Sequence, residues 1–131
     1  MRILIAEDDM ASRKFLARFL SKYGECDITV DGMEAIEAFM VSFDIDKQYD
    51  LICLDIMMPK LDGMKVLKTI REIEKQKGIP ENKQVKVIMT SAINELEIVN
   101  HSFETGSEAY ATKPINTEKF EEVMKKLDLI K

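Results

Sequence analysis

The segment LICLDIMMPKLDG, Leu51 to Gly63, decides the fold. Its first four residues are apolar without polar alternation and too few to make a helix, which is the pattern of a strand buried on both faces. The run stops at a carboxylate, Asp55. A proline-containing loop follows, and Asp62-Gly63 then supplies a capping side chain at the start of a helix. A doubly buried strand that leads into a helix is the repeating unit of a parallel α/β sheet.

The same unit recurs on both sides of this segment. Short apolar runs at Ile3–Ala6, Ile28–Val30, Val85–Met89 and Ala109–Ala111 alternate with longer stretches of helical spacing. Phe15, Leu16, Phe19, Leu20 and Tyr23 share a face in the first stretch, and Ile36, Phe39, Met40 and Phe43 in the second. Val66, Leu67, Ile70 and Ile73 follow in the third, Leu96, Val99 and Phe103 in the fourth, and Phe120, Val123, Met124 and Leu127 in the fifth. Gly24, Gly78 and Gly106 each close a helical stretch, where a left-handed residue is expected. Parallel strands need right-handed helical crossovers, so five strands alternating with five helices predict a doubly wound (βα)₅ sheet with helices on both faces. In such sheets the functional crevice lies outside the carboxyl ends of the strands.

The 131 residues fit one domain, and no linker, repeat or low-complexity tract divides them, so Met1–Lys131 is expected to be a single domain. Nineteen basic against 24 acidic residues leave a net charge of −5 with no obvious basic patch, which argues against direct binding of nucleic acid. No apolar run approaches the roughly 20 residues of a membrane span, and no lipidation signal stands at either end. Cys26 and Cys53 form neither a Cys-x-x-Cys pair nor a zinc cluster. They are expected to be reduced, small apolar residues of a cytoplasmic protein.

Chemistry collects just past the strands. Strand 1 leads into Glu7-Asp8-Asp9, strand 3 into Asp55, strand 4 into Thr90-Ser91 and strand 5 into Thr112-Lys113-Pro114. With neighbouring strands about 4.8 Å apart, an order that sets strand 1 beside strand 3 brings carboxylates of both into one pocket. Such a cluster repels itself unless a divalent cation enters it, and hard carboxylate oxygens favour Mg²⁺. A lysine and a hydroxyl alongside add donors for a phosphoryl group. Each piece alone is commonplace, an acidic turn or a loop; all of them in this chain order are not.

From Arg2 to about Leu129 the chain resembles the receiver domains of two-component response regulators. The likeness is carried by ILIAEDD at Ile3–Asp9, LICLDIMMPKLDG at Leu51–Gly63, VIMTSA at Val87–Ala92 and GSEAYATKP at Gly106–Pro114. The resemblance implies a flavodoxin-like or CheY-like sheet of order 2-1-3-4-5 and a free-standing receiver with no output domain. It implies Asp55 as the phosphoryl acceptor, with Asp8 and Asp55 as direct ligands of Mg²⁺, Glu7 acting through water and the backbone carbonyl of Met57 as a further ligand. The acidic triplet permits a slip of one residue, and the register of Glu7 and Asp8 makes Asp9 a helix-start residue. Ser91 fills the switch-hydroxyl position with Thr90 as its rival, Lys113 pairs with the phosphoryl group, Tyr110 is the switch aromatic and the Lys113-Pro114 bond is cis.

By the same resemblance the phosphoryl donor is a sensor histidine kinase or a histidine phosphotransfer protein. Partner binding, or homodimerisation, then follows through the face of helix 4, strand 5 and helix 5. Met57 and Ile93 replace commoner polar residues beside the path of a hydrolytic water, which predicts slow self-dephosphorylation. His101 reads as a surface residue. Three rival readings remain: a receiver-like interaction module that is not phosphorylated, a phosphohydrolase of the haloacid dehalogenase type, and a flavodoxin. The second lacks the acid it needs at Met57, and the third lacks a phosphate loop after strand 1.

Overall fold

The computed structural model describes residues 1–92 and 96–131. Strands β1 (Arg2–Ala6), β2 (Glu25–Thr29), β3 (Leu51–Asp55), β4 (Lys86–Ser91) and β5 (Ala109–Thr112) alternate with helices α1 (Met10–Leu20), α2 (Gly32–Asp44), α3 (Gly63–Gln76), α4 (Leu96–Thr105) and α5 (Thr117–Lys126). All neighbouring strands are parallel, and the sheet order is β2-β1-β3-β4-β5.

Alternation along the central strands divides the core in two. Leu4, Ala6, Ile52 and Leu54 face α2 and α3, where Phe39, Val66, Leu67 and Ile70 cover them. Ile3, Ile5 and Cys53 face the other way onto Leu16 and Leu20 of α1 and Phe120 and Met124 of α5. An edge-on contact between Phe19 and Phe120, with centroids 5.7 Å apart, joins the two helices of that layer. Each fully buried Leu or Ile contributes roughly 1.5–3 kcal/mol, so both layers are needed to hold the strand ends in place. Asp9, Asp31, Asp62 and Asn116 cap four helices, each side chain accepting a backbone N–H three residues on.

Several expectations need correction. β2 begins three residues before its apolar run, because the Glu25 N–H donates to the Met1 carbonyl (3.0 Å) and starts the ladder with β1. As an edge strand it leaves Ile28 exposed, and Val30, just beyond its end, is exposed as well. β4 runs on to Ser91, so Asp55, Thr90, Ser91 and Thr112 lie within their strands rather than beyond them. Phe15 and Met40 point to solvent, because the buried stripes of α1 and α2 are narrower than the apolar spacing suggests. Gly78 and Gly106 do have positive φ, but Gly24 does not. It is held by a close approach, since a Cβ there would lie 2.2 Å from the Met1 carbonyl oxygen. Cys53 is buried and Cys26 half-buried, and both are free thiols. His101 is exposed, as expected. Ile93 lies outside the described residues, as do the side chains of Leu96 and Val99. Among the described residues no helix is long and apolar enough to cross a membrane.

Candidate functional site

Register places the acids. β1 and β3 pair Leu4 with Ile52 and Ala6 with Leu54, so Glu7 and Asp55 are each one residue beyond a matched pair. The Glu7 N–H donates to the Thr29 carbonyl (3.1 Å), which keeps the chain in sheet geometry one step past β1. Glu7 is fully buried, Asp55 is 3% exposed and Asp8 opens to solvent. The three carboxylates each present an oxygen within 4.8 Å of the others.

Asp9 turns away from them. Its carboxylate accepts the Ser12 N–H (2.9 Å) and caps α1, while its own N–H donates to Glu7 Oε1 (3.2 Å). The Ser12 N–H, above all, holds the Asp9 carboxyl below the usual carboxylate range. The register that separates Glu7 and Asp8 from Asp9 is therefore the one the fold adopts. Arg13, one turn into α1, donates to the carbonyls of Glu7 (3.1 Å) and Asp8 (3.2 Å) and fixes the turn that carries both acids. Sequence reasoning missed this residue, although an arginine four residues after a capping aspartate is positioned to reach back over the helix start.

The other wall comes from β4 and β5. Ile56 N–H donates to the Thr90 carbonyl (3.0 Å) and Lys113 N–H to the Ser91 carbonyl (2.7 Å). The Lys113 ammonium then lies 2.9 and 3.0 Å from the two Glu7 oxygens and 3.2 Å from Asp55 Oδ2. The Lys113-Pro114 bond is cis. Thr90 and Ser91 are both buried, and neither hydroxyl has a hydrogen-bond partner. Thr90 is directly opposite Asp55 in the β3–β4 register, and Ser91 is opposite Thr112 in β5.

A loop returns over Asp55 from the other side. Met57 N–H donates to Asp55 Oδ1 (3.3 Å), and Gly63 N–H donates to the Ile56 carbonyl (2.8 Å). A Cβ at Gly63 would lie 2.2 Å from the Asp55 carbonyl oxygen, so the start of α3 can pack here only as glycine. The Met57 side chain projects into solvent. Tyr110 on β5 is partly exposed and packs edge-on against Phe103 of α4, with centroids 5.9 Å apart.

This pocket is electrostatically unbalanced: three carboxylates gather in it, and the Lys113 ammonium pairs with two of them, Glu7 and Asp55. Burial, followed by the negative charge of Glu7, pushes the Asp55 carboxyl up to about 7, against the pull of Lys113 and the Met57 N–H. Burial works to lower the Lys113 ammonium, yet its hydrogen bond to Glu7 and the charges of Asp55 and Glu7 leave it raised. Oxygen-only donors, excess negative charge and an open side at Asp8 fit a hard divalent cation of the Mg²⁺ type. At the end of β4, Thr90 opposite Asp55 and its neighbour Ser91 carry buried hydroxyls without a partner, donors free to meet an acceptor.

The chain is similar in sequence and fold to known proteins. The response regulator receiver domain family matches residues 3–125. Chemotaxis protein CheY of Treponema pallidum is 30% identical over 120 residues, which cover 90% of this chain and 76% of that protein. Hybrid signal transduction histidine kinase I of Dictyostelium discoideum is 34% identical over 125 residues, 94% of this chain but 7% of that protein. A CheX–CheY–BeF₃–Mg complex from Borrelia burgdorferi superimposes with a TM-score of 0.82 at 26% identity, covering 100% of this chain and 90% of that one. A co-crystal of the Saccharomyces cerevisiae phosphotransfer protein Ypd1 with the receiver domain of Ssk1 gives 0.79 at 26% identity, covering 95% and 86%.

Proposed function

We propose, from the premise that this chain belongs to the response regulator receiver domain family, that Asp55 accepts a phosphoryl group from a phosphohistidine and that the domain then signals through a protein partner. The observation that carries this reading is the buried Glu7–Asp55–Lys113 cluster, open at Asp8, at the sheet end where β4 finishes in two unpartnered hydroxyls.

In the transfer an Asp55 oxygen forms a bond to phosphorus as the bond from phosphorus to the donor imidazole nitrogen breaks, and that nitrogen leaves as neutral imidazole after taking up a proton. A carboxylate repels a phosphoryl dianion, so the protein's contribution is to position and neutralise. Lys113, already 3.2 Å from Asp55, pairs with a phosphoryl oxygen. Asp8 and Asp55 directly, Glu7 through water and the Met57 carbonyl would hold Mg²⁺. When bound, the ion supplies positive charge for the phosphoryl oxygens. The domain is a signalling acceptor and not a true enzyme.

The new phosphoryl oxygens would give the Ser91 hydroxyl the acceptor it lacks. We take Ser91 rather than Thr90 as the switch because the small Ala92 follows it and because its carbonyl binds the Lys113 N–H, so the two groups move together. Drawing Ser91 inward frees room for Tyr110 to leave its edge contact with Phe103, which reshapes the face of α4, β5 and α5. Partner binding or homodimerisation would use that face, with a sensor histidine kinase or a histidine phosphotransfer protein as donor. Action through protein contact, without direct DNA binding by this domain, agrees with the net charge of −5.

Intact mass after incubation with Mg²⁺ and a small acyl phosphate tests the reading. One hydroxylamine-labile phosphoryl adduct is expected, absent without Mg²⁺ and absent in Asp55→Ala; no adduct under any condition would leave the constitutive interaction module. The adduct should also be long-lived, because Met57 cannot orient a hydrolytic water and neither can Ile93. A Met57→Asn, Ile93→Glu variant is expected to lose its phosphoryl group faster than the native chain, and a slower loss overturns that part.

A further inference from the structure

Charge is distributed unevenly along this chain. Between Tyr23 and Asp46 there are seven acidic residues and no lysine or arginine, whereas the rest of the chain carries 17 acidic against 19 basic residues. That acidic block folds into β2, the edge strand of the sheet, and α2. Surface helices in a soluble protein usually turn charged residues outward. α2 instead turns out Met33, Met40 and Val41 together with its acids, and Ile45 follows immediately after it, each about half exposed.

The arrangement is ordered. One outward row along α2 reads Glu34, Ala38, Val41 and, at its C-cap, Ile45; the next reads Met33, Glu37, Met40 and Asp44. Residues spaced by three and four line up along a helix, so each row is a ridge of roughly 16 Å at 1.5 Å per residue. The first ridge forms one wall of a cleft of about 370 Å³, whose other wall is Asp27 and its neighbours on β2. The cleft therefore has apolar patches from Ala38, Val41 and Ile45 and an acidic rim from Glu34 and Glu37 on α2, while Asp27 in the opposite wall is already paired with Arg2 and Tyr49, which also line the cleft.

We propose that this β2–α2 cleft is a docking surface for a basic amphipathic helix of a partner protein. Charge complementarity selects that occupant. An apolar stripe would bury Val41 and Ile45, and lysines or arginines on its flanks would meet Glu34, Glu37 and Asp44. Met33 and Met40, unbranched and polarisable, adapt to the shape of an incoming apolar face. An anionic lipid surface or nucleic acid would be repelled by the exposed Glu34, Glu37 and Asp44. The surface is separate from Asp55 and its neighbours, so the proposal does not depend on the phosphoacceptor reading.

The probe is an amphipathic helical peptide of leucine and lysine, compared with the same peptide carrying glutamate for every lysine, titrated into the isotope-labelled full chain while amide shifts are followed. Shifts concentrated on residues 27–45 are expected, with no binding of the glutamate peptide. Affinity should fall at least ~10-fold in Glu34→Lys/Glu37→Lys and again in Val41→Ser/Ile45→Ser. Glu118→Lys/Glu122→Lys on α5 makes the same change in net charge and should bind as the native chain does. Circular dichroism and acyl-phosphate labelling identical to the native chain would show that the cleft variants remain folded. The proposal is overturned by shifts centred on the acid pocket or on α5, by equal binding of the glutamate peptide, by equal weakening in the α5 variant, or by self-association of the chain that occupies the cleft in place of the probe.

Discussion

Two clusters of charge are buried at opposite ends of the sheet, and they are built on different principles. At the carboxyl end, among the described residues, Lys113 is the one cation paired with the Glu7 and Asp55 carboxylates, Asp8 stands open beside them, and the hydroxyls of Thr90 and Ser91 have no partner. At the amino end, Arg71 of α3 meets Glu74 (2.6 Å) and both oxygens of Glu108 (3.0 Å), and its remaining donors reach the carbonyls of Val85 and Gly106. Glu74 and Glu108 also accept the N–H groups of Val85 (2.8 Å) and Val87 (2.6 Å). Burial still raises the Glu108 carboxyl, opposed by the Val87 N–H and Arg71. The amino end has a partner for each charge and ties three segments together. The carboxyl end has charge and donors left over. Surplus, rather than burial or proximity, is what marks a place where a ligand belongs.

The sharpest way to break this contrast is to remove one group from each end and look for phosphoryl transfer. Asp55→Asn should lose the acyl-phosphate adduct entirely by intact mass, while Arg71→Met should still form it in whatever fraction remains folded.

Stability should move in opposite directions. Arg71→Met strands two carboxylates, and urea unfolding is expected to show a loss of about 3–5 kcal/mol. Asp55→Asn in the absence of Mg²⁺ should instead gain up to about 4 kcal/mol at pH 8. Because the folded carboxyl is raised to about 7, its contribution to stability is full below the unfolded value near 4 and is lost as pH rises through about 7. The gain from asparagine should therefore shrink towards pH 5, and a gain independent of pH would contradict the assignment.

Smaller effects follow from adding the cation. Mg²⁺ should raise the melting temperature of the native chain and of Arg71→Met by several degrees at pH 8, less at pH 6 where Asp55 holds its proton, and not at all in Asp8→Ala. The smallest difference concerns hydroxyls. Ser91→Ala should change stability by no more than about 0.5 kcal/mol, because its hydroxyl is already unpartnered. Thr29→Val should cost about 1 kcal/mol, since Thr29 Oγ1 donates to the Ile5 carbonyl at 2.9 Å. Equal costs would mean that the Ser91 hydroxyl is already in use.

The contrast between the two ends also explains what could be read from the sequence. The apolar runs of β1 and β3 are buried on both faces, so composition alone located them, and the acids that end them, each commonplace alone, stood out because they recur at several strand ends in one chain order. β2 was misjudged at its start because an edge strand is held by backbone ladder bonds and needs little apolar character, as Glu25 and Asp27 demonstrate. Phe15 and Met40 were assigned to the core because spacing reports a helix face but not its width. Arg71 left no local signal at all. Its partners are 3 to 37 residues away, and an arginine in a polar helix looks like one more solvated charge until the fold closes over it. Gly24 and Gly63 were legible as breaks, yet the close backbone approaches that require them exist only in three dimensions.

One contact at the quiet end has a bearing on the active one. Arg71 grips the Gly106 carbonyl with two nitrogens, at 3.1 and 2.8 Å, just where α4 ends and the chain turns into β5. α4 is thereby anchored at its far end. On the proposed switch, a displacement begun at Ser91 would swing the helix like a gate on a post rather than slide it, and the ring of Phe103, in the last turn beside that anchor, would move by only a fraction of the travel at the free end.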